Sequence, residues 1–532
     1  MRRSCLFALL SIVMLASGGW NALAGSPPRS HSGSKQPVPT IQEKSDLVYL
    51  DVTVLDKAGK PVTMGLAKDD FLVTENKAPQ TITSFETPEA HSAQAVGKGA
   101  RADDTVDAKV PKTILLLDEL DTSAPGSTHV LNEVREYLQK MPAVLPSPME
   151  ILTIHPNEML LLTGYTRRRD RLQQALQGVG PDGIMPMDFG EAKIKPLEVL
   201  QQIALLNRGI PGKKNLLWLG DSGPSVHIWS ILSVEQERTM DAFARKTVNM
   251  LVESRIRLSA VLPGFQDRLK DPGAQQGDLR LQTTDPFGAN IYFGSFVNET
   301  GGQMYFSNDM VEGIRRAVDL ESNYYTLTYQ PTQVKANGEY RNIEVQVRHP
   351  GYRLITMKGY YAPETDGALT PEQETFEGIS YAAFSTFEMN ALPVTLSLVT
   401  RDPVSQSVQI GVYVDESKLK WERTGDGTYR AQLLLLATDY KDSGKIGGFQ
   451  YLSMYLTTPL TSEAERARLR TTIPLRVRFP KYSVRIKVSV GDVGSQRIGT
   501  LTVTKKEIRT APIMPMQDPL KPTKESAEMR RR

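Results

Sequence analysis

Carboxylates and hydroxyls gather at one point of this chain in a pattern that could do chemistry. Residues 112–123 read Lys-Thr-Ile-Leu-Leu-Leu-Asp-Glu-Leu-Asp-Thr-Ser: an unbroken apolar run that ends in oxygen donors. A buried parallel strand looks like this when it delivers ligands to the rim of its sheet. Asp118 and Thr122 are spaced as a hard-cation site requires, and Ser123, Glu119 and Asp121 crowd the same turn. Two further stretches carry donors just after apolar runs. Thr163-Gly164-Tyr165-Thr166 follows Met159–Leu162, and Asp221-Ser222 follows Leu216-Leu217-Trp218-Leu219-Gly220. Oxygen donors without His or Cys suit Mg²⁺, Mn²⁺ or Ca²⁺.

Other chemistries fit worse. The six histidines are scattered with no His-x-x-x-His pair, so a helix-borne zinc hydrolase site has no ligands. Gly220-Asp221-Ser222-Gly223 has the look of a serine-protease nucleophile, with His227 close by. It follows a parallel strand within an α/β repeat, and no oriented histidine base accompanies it. Tyr324, Tyr325, Tyr329, Tyr360 and Tyr361 could form a sugar platform but read more simply as strand residues with one face in a core. No acid–base or nucleophile set emerges, and the chain is expected not to be an enzyme.

The elements that must position the donors alternate between 110 and 320. Strands are predicted at 113–117, 150–154, 159–163, 215–219, 257–261 and 303–306, with helices near 127–140, 168–177, 193–207, 229–253 and 308–320. That pattern predicts a doubly wound, mostly parallel sheet, with the 150–154 and 159–163 pair forming an antiparallel hairpin. Residues 45–90 alternate in β fashion but hold too few strands for a sandwich, and 322–362 return to β. The expectation is one β-sandwich split across both flanks, with the α/β domain inserted. Residues 363–378 read as a linker. Residues 388–506, with seven short strands, read as a C-terminal immunoglobulin-like sandwich, and 508–532 as a disordered tail.

At the start, Arg2 and Arg3, the apolar stretch Leu6–Ala16 and Ala22-Leu23-Ala24 read as a signal peptide over 1–24, followed by a flexible linker over 25–44. The chain is therefore expected to be exported, periplasmic or extracellular, with no stable transmembrane anchor. Cys5 is the only cysteine and would leave with the signal. The formal charge of +3 falls to about +1 without Arg2 and Arg3, which gives no electrostatic case for nucleic acid.

The segment 112–122, Thr163–Thr166 and Gly212–Asp221 together resemble a von Willebrand factor A (VWA) domain. Val52–Val62, Asp70-Phe71, Phe85-Glu86, Thr300-Gly301-Gly302, Tyr324–Pro331 and Lys358–Tyr361 extend the resemblance to the secreted VWA-related family named for Acidobacteria. It covers about residues 45–362. In such domains a metal-ion-dependent adhesion site (MIDAS) reads Asp-x-Ser-x-Ser, then a Thr and an Asp on two further loops. The resemblance carries this onto Asp118, Leu120 and Thr122, then Thr166 (with Thr163 as fallback), then Asp221. Leu120 stands where a ligating hydroxyl is needed, so binding of Mg²⁺, Mn²⁺ or Ca²⁺ is expected to be weakened or absent, and no cofactor is certain. The implied function is a secreted, non-enzymatic binding or adhesion module. It would hold an unknown protein or cell-envelope component at a rim of Glu119, Asp121, Ser123, Thr163 and Ser222. The alternative is a structural cell-envelope scaffold with no metal-dependent binding.

Overall fold

Alternation of apolar residues shapes the first strand. In β1 (Val48–Leu55), Leu50, Val52 and Val54 are at most 1% exposed. The computed structural model describes residues 47–91, 110–120, 124–155, 159–180, 189–220, 234–262, 292–307, 309–332, 337–363, 369–384, 389, 391–442, 446–469 and 471–513. The signal-peptide and linker expectations for 1–44 lie outside them. Among the described residues no helix is long and apolar enough to cross a membrane.

Strands β2 (Phe71–Glu75), β3 (Ala78–Gln80) and β4 (Ile82–Glu86) complete the first flank. The α/β segment contributes β5 (Lys112–Asp118), β6 (Val144–Ile154), β7 (Met159–Arg168), β8 (Lys214–Leu219), β9 (Ile256–Leu262) and β10 (Met304–Phe306). The second flank contributes β11 (Tyr325–Tyr329), β12 (Tyr340–Val347), β13 (Arg353–Ile355) and β14 (Gly359–Tyr361). The flanks share two sheets, ordered β13-β1-β11-β4 and β14-β12-β2-β3. Leu50, Val52, Phe71, Val73, Tyr325, Leu327, Tyr329 and Ile343 fill one core between them.

The α/β sheet has the order β10-β9-β8-β5-β6-β7, parallel throughout except for β7, which runs antiparallel to β6 at the edge. This mixed sheet, together with the separate β sheets, makes the chain mixed α/β. Helices α1 (Ala124–Lys140), α2 (Arg169–Ala175), α3 (Phe189–Asn207), α4 (Val234–Glu253), α5 (Phe293–Glu299) and α6 (Met310–Ser322) surround it. Because side chains alternate along a strand, Leu115, Leu117, Leu217 and Leu219 join the core formed with α1 and α6. Ile114, Leu116, Leu216 and Trp218 join the one formed with α3 and α4. Every residue of β5 and β8 is buried, as a central strand covered on both faces must be.

One expectation fails here. The stretch 363–378 is not merely a linker: it enters helix α7 (Pro371–Phe384). A capping box starts the helix. Gln373 N–H donates to Thr370 Oγ1 at 3.2 Å, and Thr370 N–H donates to Gln373 Oε1 at 2.8 Å. Pro371 sits where its missing N–H costs nothing. Ile379, Ala382 and Ala383 then share a core with Leu434 and Leu436 and with the α/β sheet.

The C-terminal strands are β15 (Val394–Asp402), β16 (Ser407–Val414), β17 (Glu422–Arg423), β18 (Tyr429–Lys441), β19 (Ile446–Thr458), β20 (Thr472–Arg478), β21 (Ser483–Asp492) and β22 (Ile498–Thr504). They form a three-stranded sheet, β15-β16-β20, and a five-stranded sheet centred on β18. Ile410, Val412, Leu433, Leu435, Leu475, Val488 and Val490 share their core. Part of the expected tail is also ordered: a helix spans Lys505–Thr510, capped by Thr504 and Glu507, while 514–532 lie outside the described residues.

Candidate functional site

Asp118 is the last residue of β5 and is 1% exposed, at the carboxyl end of the central strand. Its carboxylate is held from two sides. Trp218 Nε1 donates to Oδ2 at 2.8 Å, across from β8, and Leu120 N–H donates to Oδ1 at 2.8 Å, closing a turn. The parallel register sets Leu116 beside Trp218, so the indole reaches forward along the strands to meet Asp118. Both oxygens thus accept from donors of the fold itself. Trp218 is fully buried, with its ring edge-on to Phe293 at 5.2 Å.

Leu120 is 6% exposed and belongs to the core that includes Leu152, Ile154, Met159 and Trp218. Its side chain leaves water, which for a residue of this size contributes about 2 kcal/mol. The position that a ligating hydroxyl would need is committed to the core. Glu119 turns toward β6. Its N–H donates to Ile154 O at 3.0 Å, and its side chain, 8% exposed, lies 3.6 Å from His155 Nδ1. His155 Nε2 is 3.4 Å from Thr153 Oγ1.

The expected threonine ligands are elsewhere. In β6, Ile154 is the partner of Asp118 and Met149 the partner of Thr113. Thr166 pairs with Met149 and is therefore level with Thr113, about 16 Å along the sheet from Asp118 at ~3.3 Å per residue. Thr163 pairs with Ile151, level with Leu115, about 10 Å from the rim. The cause is the direction of β7: an antiparallel strand leaves the rim as it runs, so donors at its end finish at the opposite edge. Thr166 is buried there and accepts from Arg168 N–H at 3.1 Å. Neither threonine stands beside Asp118. Asp121, Thr122, Ser123, Asp221 and Ser222 lie outside the described residues.

Among the described residues the expected donors are not gathered around one point: the Leu120 position is apolar and both threonines are remote, while the Asp118 carboxylate accepts two N–H groups of the fold. The rim residues that sequence reading missed are Trp218 and His155. Trp218 reads as plain core. Its hydrogen bond depends on the β5–β8 register, and the meeting of His155 with Glu119 depends on the β5–β6 register.

A second polar constellation lies toward the other end of the sheet. Arg255, at the turn before β9, donates to Asp51 Oδ1 of β1 at 2.5 Å, and Thr326 Oγ1 donates to the same oxygen at 2.8 Å. Burial alone would raise the Asp51 carboxyl; the Arg255 guanidinium outweighs it and holds the group below its usual range. Arg257 donates to Asp51 O at 2.7 Å and to Thr53 Oγ1 at 3.2 Å. These bonds join the α/β sheet to the flanking sandwich. Beside them, burial pushes the Glu150 carboxyl up to about 8, against opposing hydrogen bonds from Tyr165 and Asn207 and the charge of Lys214. A cavity of about 460 Å³ opens between the sandwich and the loop 209–212, lined by Tyr49, Ser84, Glu86, Lys214, Arg255 and Thr328 among others.

No family model matches the chain, and no curated protein matches it. Among solved structures it is similar to proximal thread matrix protein 1 from the mussel byssus, at 11% identity over 41% of this chain and 47% of that one, with a TM-score of 0.24. It is also similar to the SpRpn10 VWA domain (11% identity, 38% of this chain, 94% of that one, TM-score 0.21). A third likeness is to the pilus adhesin SpaC from Lactobacillus rhamnosus GG (8% identity, 74% and 53%, TM-score 0.24). The chain spans about half the length of the first and third. Likenesses at this level say nothing of activity or partner.

Proposed function

We propose that the chain is an exported, non-enzymatic binding module with a VWA-like α/β domain. It engages a protein or cell-envelope component at the carboxyl rim of that sheet without a coordinated metal. The observation that carries the metal-free reading is the Asp118 carboxylate, held by Trp218 and Leu120 inside the fold. These bonds tie the carboxylate to β8 and to its own turn, and neither the apolar Leu120 nor the remote Thr163 and Thr166 offers an ion a further ligand beside it. In an open α/β sheet, ligands bind beyond the carboxyl ends of the strands, which keeps the rim as the proposed contact face. Asp118, Leu219 and Leu262 are the strand ends that mark this rim.

The test is binding of the purified chain to a washed cell-envelope fraction, with and without chelator, for wild type and for Asp221→Ala and Ser222→Ala. The proposal expects binding that chelator leaves unchanged and that the rim variants weaken. Binding abolished by chelator and restored by Mg²⁺ would contradict it.

A scaffold role is the second reading, favoured by the Arg255–Asp51 and Arg257–Asp51 bonds that fasten the α/β sheet to the sandwich. In that reading the rim variants bind as wild type does, while Arg255 variants lose the envelope association.

A further inference from the structure

The edges of a β-sheet present unpaired N–H and C=O groups, and folded proteins protect them by shortness, proline, charge, bulges or cover. Most edges here show such protection. Strands β3, β10, β13 and β14 have three residues each, and β3 contains Pro79. Strand β4 has five residues and ends in Glu86. Strand β7 pairs through several register shifts and ends in Arg167-Arg168. Strand β20 carries Pro474, Arg476 and Arg478. The edge of β22 is covered by Leu392 N–H to Ile498 O and Thr500 N–H to Met389 O, and β15 is met by Arg401 N–H to Pro512 O.

Strand β19 is the exception. It spans 13 residues, Ile-Gly-Gly-Phe-Gln-Tyr-Leu-Ser-Met-Tyr-Leu-Thr-Thr, with no charged residue and no proline. It pairs with β18 along nearly its whole length, and among the described residues no strand pairs with its other side. Its one register shift lies at the first residues, beside Asp439 and Tyr440, so the rest of the edge is regular. Phe449, Tyr451 and Tyr455 are 67%, 40% and 51% exposed along it.

We propose that β19 is a self-association edge, on which a second copy of this chain adds its own β19 antiparallel, joining the two five-stranded sheets into one. The sequence itself selects a second copy over a foreign strand. Tyr451-Leu452-Ser453-Met454-Tyr455 reads as the same side-chain classes in both directions, as a two-fold axis through Ser453 requires. That axis, perpendicular to the sheet, keeps the same face up on both copies. Tyr451 of each copy then meets Tyr455 of the other, and Leu452 meets Met454. Cross-strand aromatic pairs are among the favourable ones, the contact is isologous, and β19 itself brings no like charges together; Glu372, whose Oε1 accepts from Ser453 Oγ at 3.5 Å, is the charge nearest the axis. Main-chain hydrogen bonds supply the attraction and the side-chain pairs fix the register.

Sedimentation velocity of the purified chain over a concentration series tests this. Wild type is expected to shift reversibly from one chain to two. Ser453→Lys and Ser453→Glu each set like charges opposite one another at the axis and should weaken the dimer about tenfold or more; the lysine variant, whose new charge meets Glu372 within its own chain, should keep the wild-type unfolding midpoint. Mixing the two variants should restore a heterodimer. Hydrogen exchange of residues 446–458 in the wild type should slow with rising concentration, a readout that needs no variant. A wild type that stays a single chain throughout, or variants that dimerise as wild type does, overturns the proposal. So does concentration-independent exchange in β19.

Discussion

The bond between Trp218 and Asp118 makes a prediction that can be worked from its geometry. Asp118 accepts two N–H donors in a site that is 1% exposed, and one donor, the indole of Trp218, is fully buried. Hydrogen bonds to charged groups contribute about 1.5–3 kcal/mol each, and a buried donor left without an acceptor costs about 1–3 kcal/mol. Asp118→Ala should therefore destabilise the α/β sheet by about 3 kcal/mol. Asp118→Asn should recover only part of this, because an amide offers one acceptor oxygen to two donors. Trp218→Phe removes one bond and should cost about 2 kcal/mol. In a double-mutant cycle the pair should couple by about 1.5–3 kcal/mol. The chain is large enough that global unfolding need not be two-state, so the assay is native-state hydrogen exchange of the β5 and β8 amides. A loss of 3 kcal/mol raises their opening about 150-fold. If Asp118→Ala leaves that exchange unchanged, or if the two substitutions are additive, the carboxylate is not the structural link described.

Further predictions concern the other end of the sheet and the tightest backbone approach. Burial raises the Glu150 carboxyl from 4.5 to about 8; the folded protein then holds an extra proton between those values. This contribution is complete below pH 4.5 and is lost as pH rises through about 8. Denaturation midpoints of the wild type should fall across that window relative to those of Glu150→Gln, and parallel profiles would refute the assignment. Arg255→Met leaves Asp51 buried without its paired guanidinium and should cost about 3–5 kcal/mol by native-state hydrogen exchange of the β1 and β9 amides, with Asp51→Ala in the same chain restoring part of it. At Gly302 an added Cβ would lie 1.6 Å from the Leu258 carbonyl oxygen, so Gly302→Ala should cost at least about 3 kcal/mol. Gly164→Ala, with nothing within 4 Å of the added atom, should be neutral, and thermal melts of the two glycine variants check both.

How much of this is legible in the sequence depends on whether the controlling signal is local. The apolar run ending at Asp118 marks a central strand because burial on both faces leaves no room for alternation. The alternation of Leu50, Val52 and Val54 marks a half-buried one. Helix α7 carries a local signal too, the Thr370–Gln373 capping box with Pro371, but Ser, Gly and Glu around it give the composition of a linker. The site is less legible because it is made by register. The short hairpin after Ile154 implies an antiparallel β7, and that direction alone removes Thr163 and Thr166 from the rim. Yet a motif carried over by order along the chain does not register which way a strand runs. Trp218 reads as core from its neighbours; only its alignment one pleat behind Asp118 turns its N–H into a ligand of the carboxylate. Glu119 and His155 are 36 positions apart and meet because β5 and β6 are adjacent.

The central claim is that the rim carboxylate serves the fold and not an ion, and calorimetric titration with Mg²⁺, Mn²⁺ and Ca²⁺ tests it most directly. The purified chain should give no saturable heat with any of the three, and Asp221→Ala should behave identically. Saturable heat in the wild type that Asp221→Ala abolishes, and that Leu120→Ser strengthens, would contradict it.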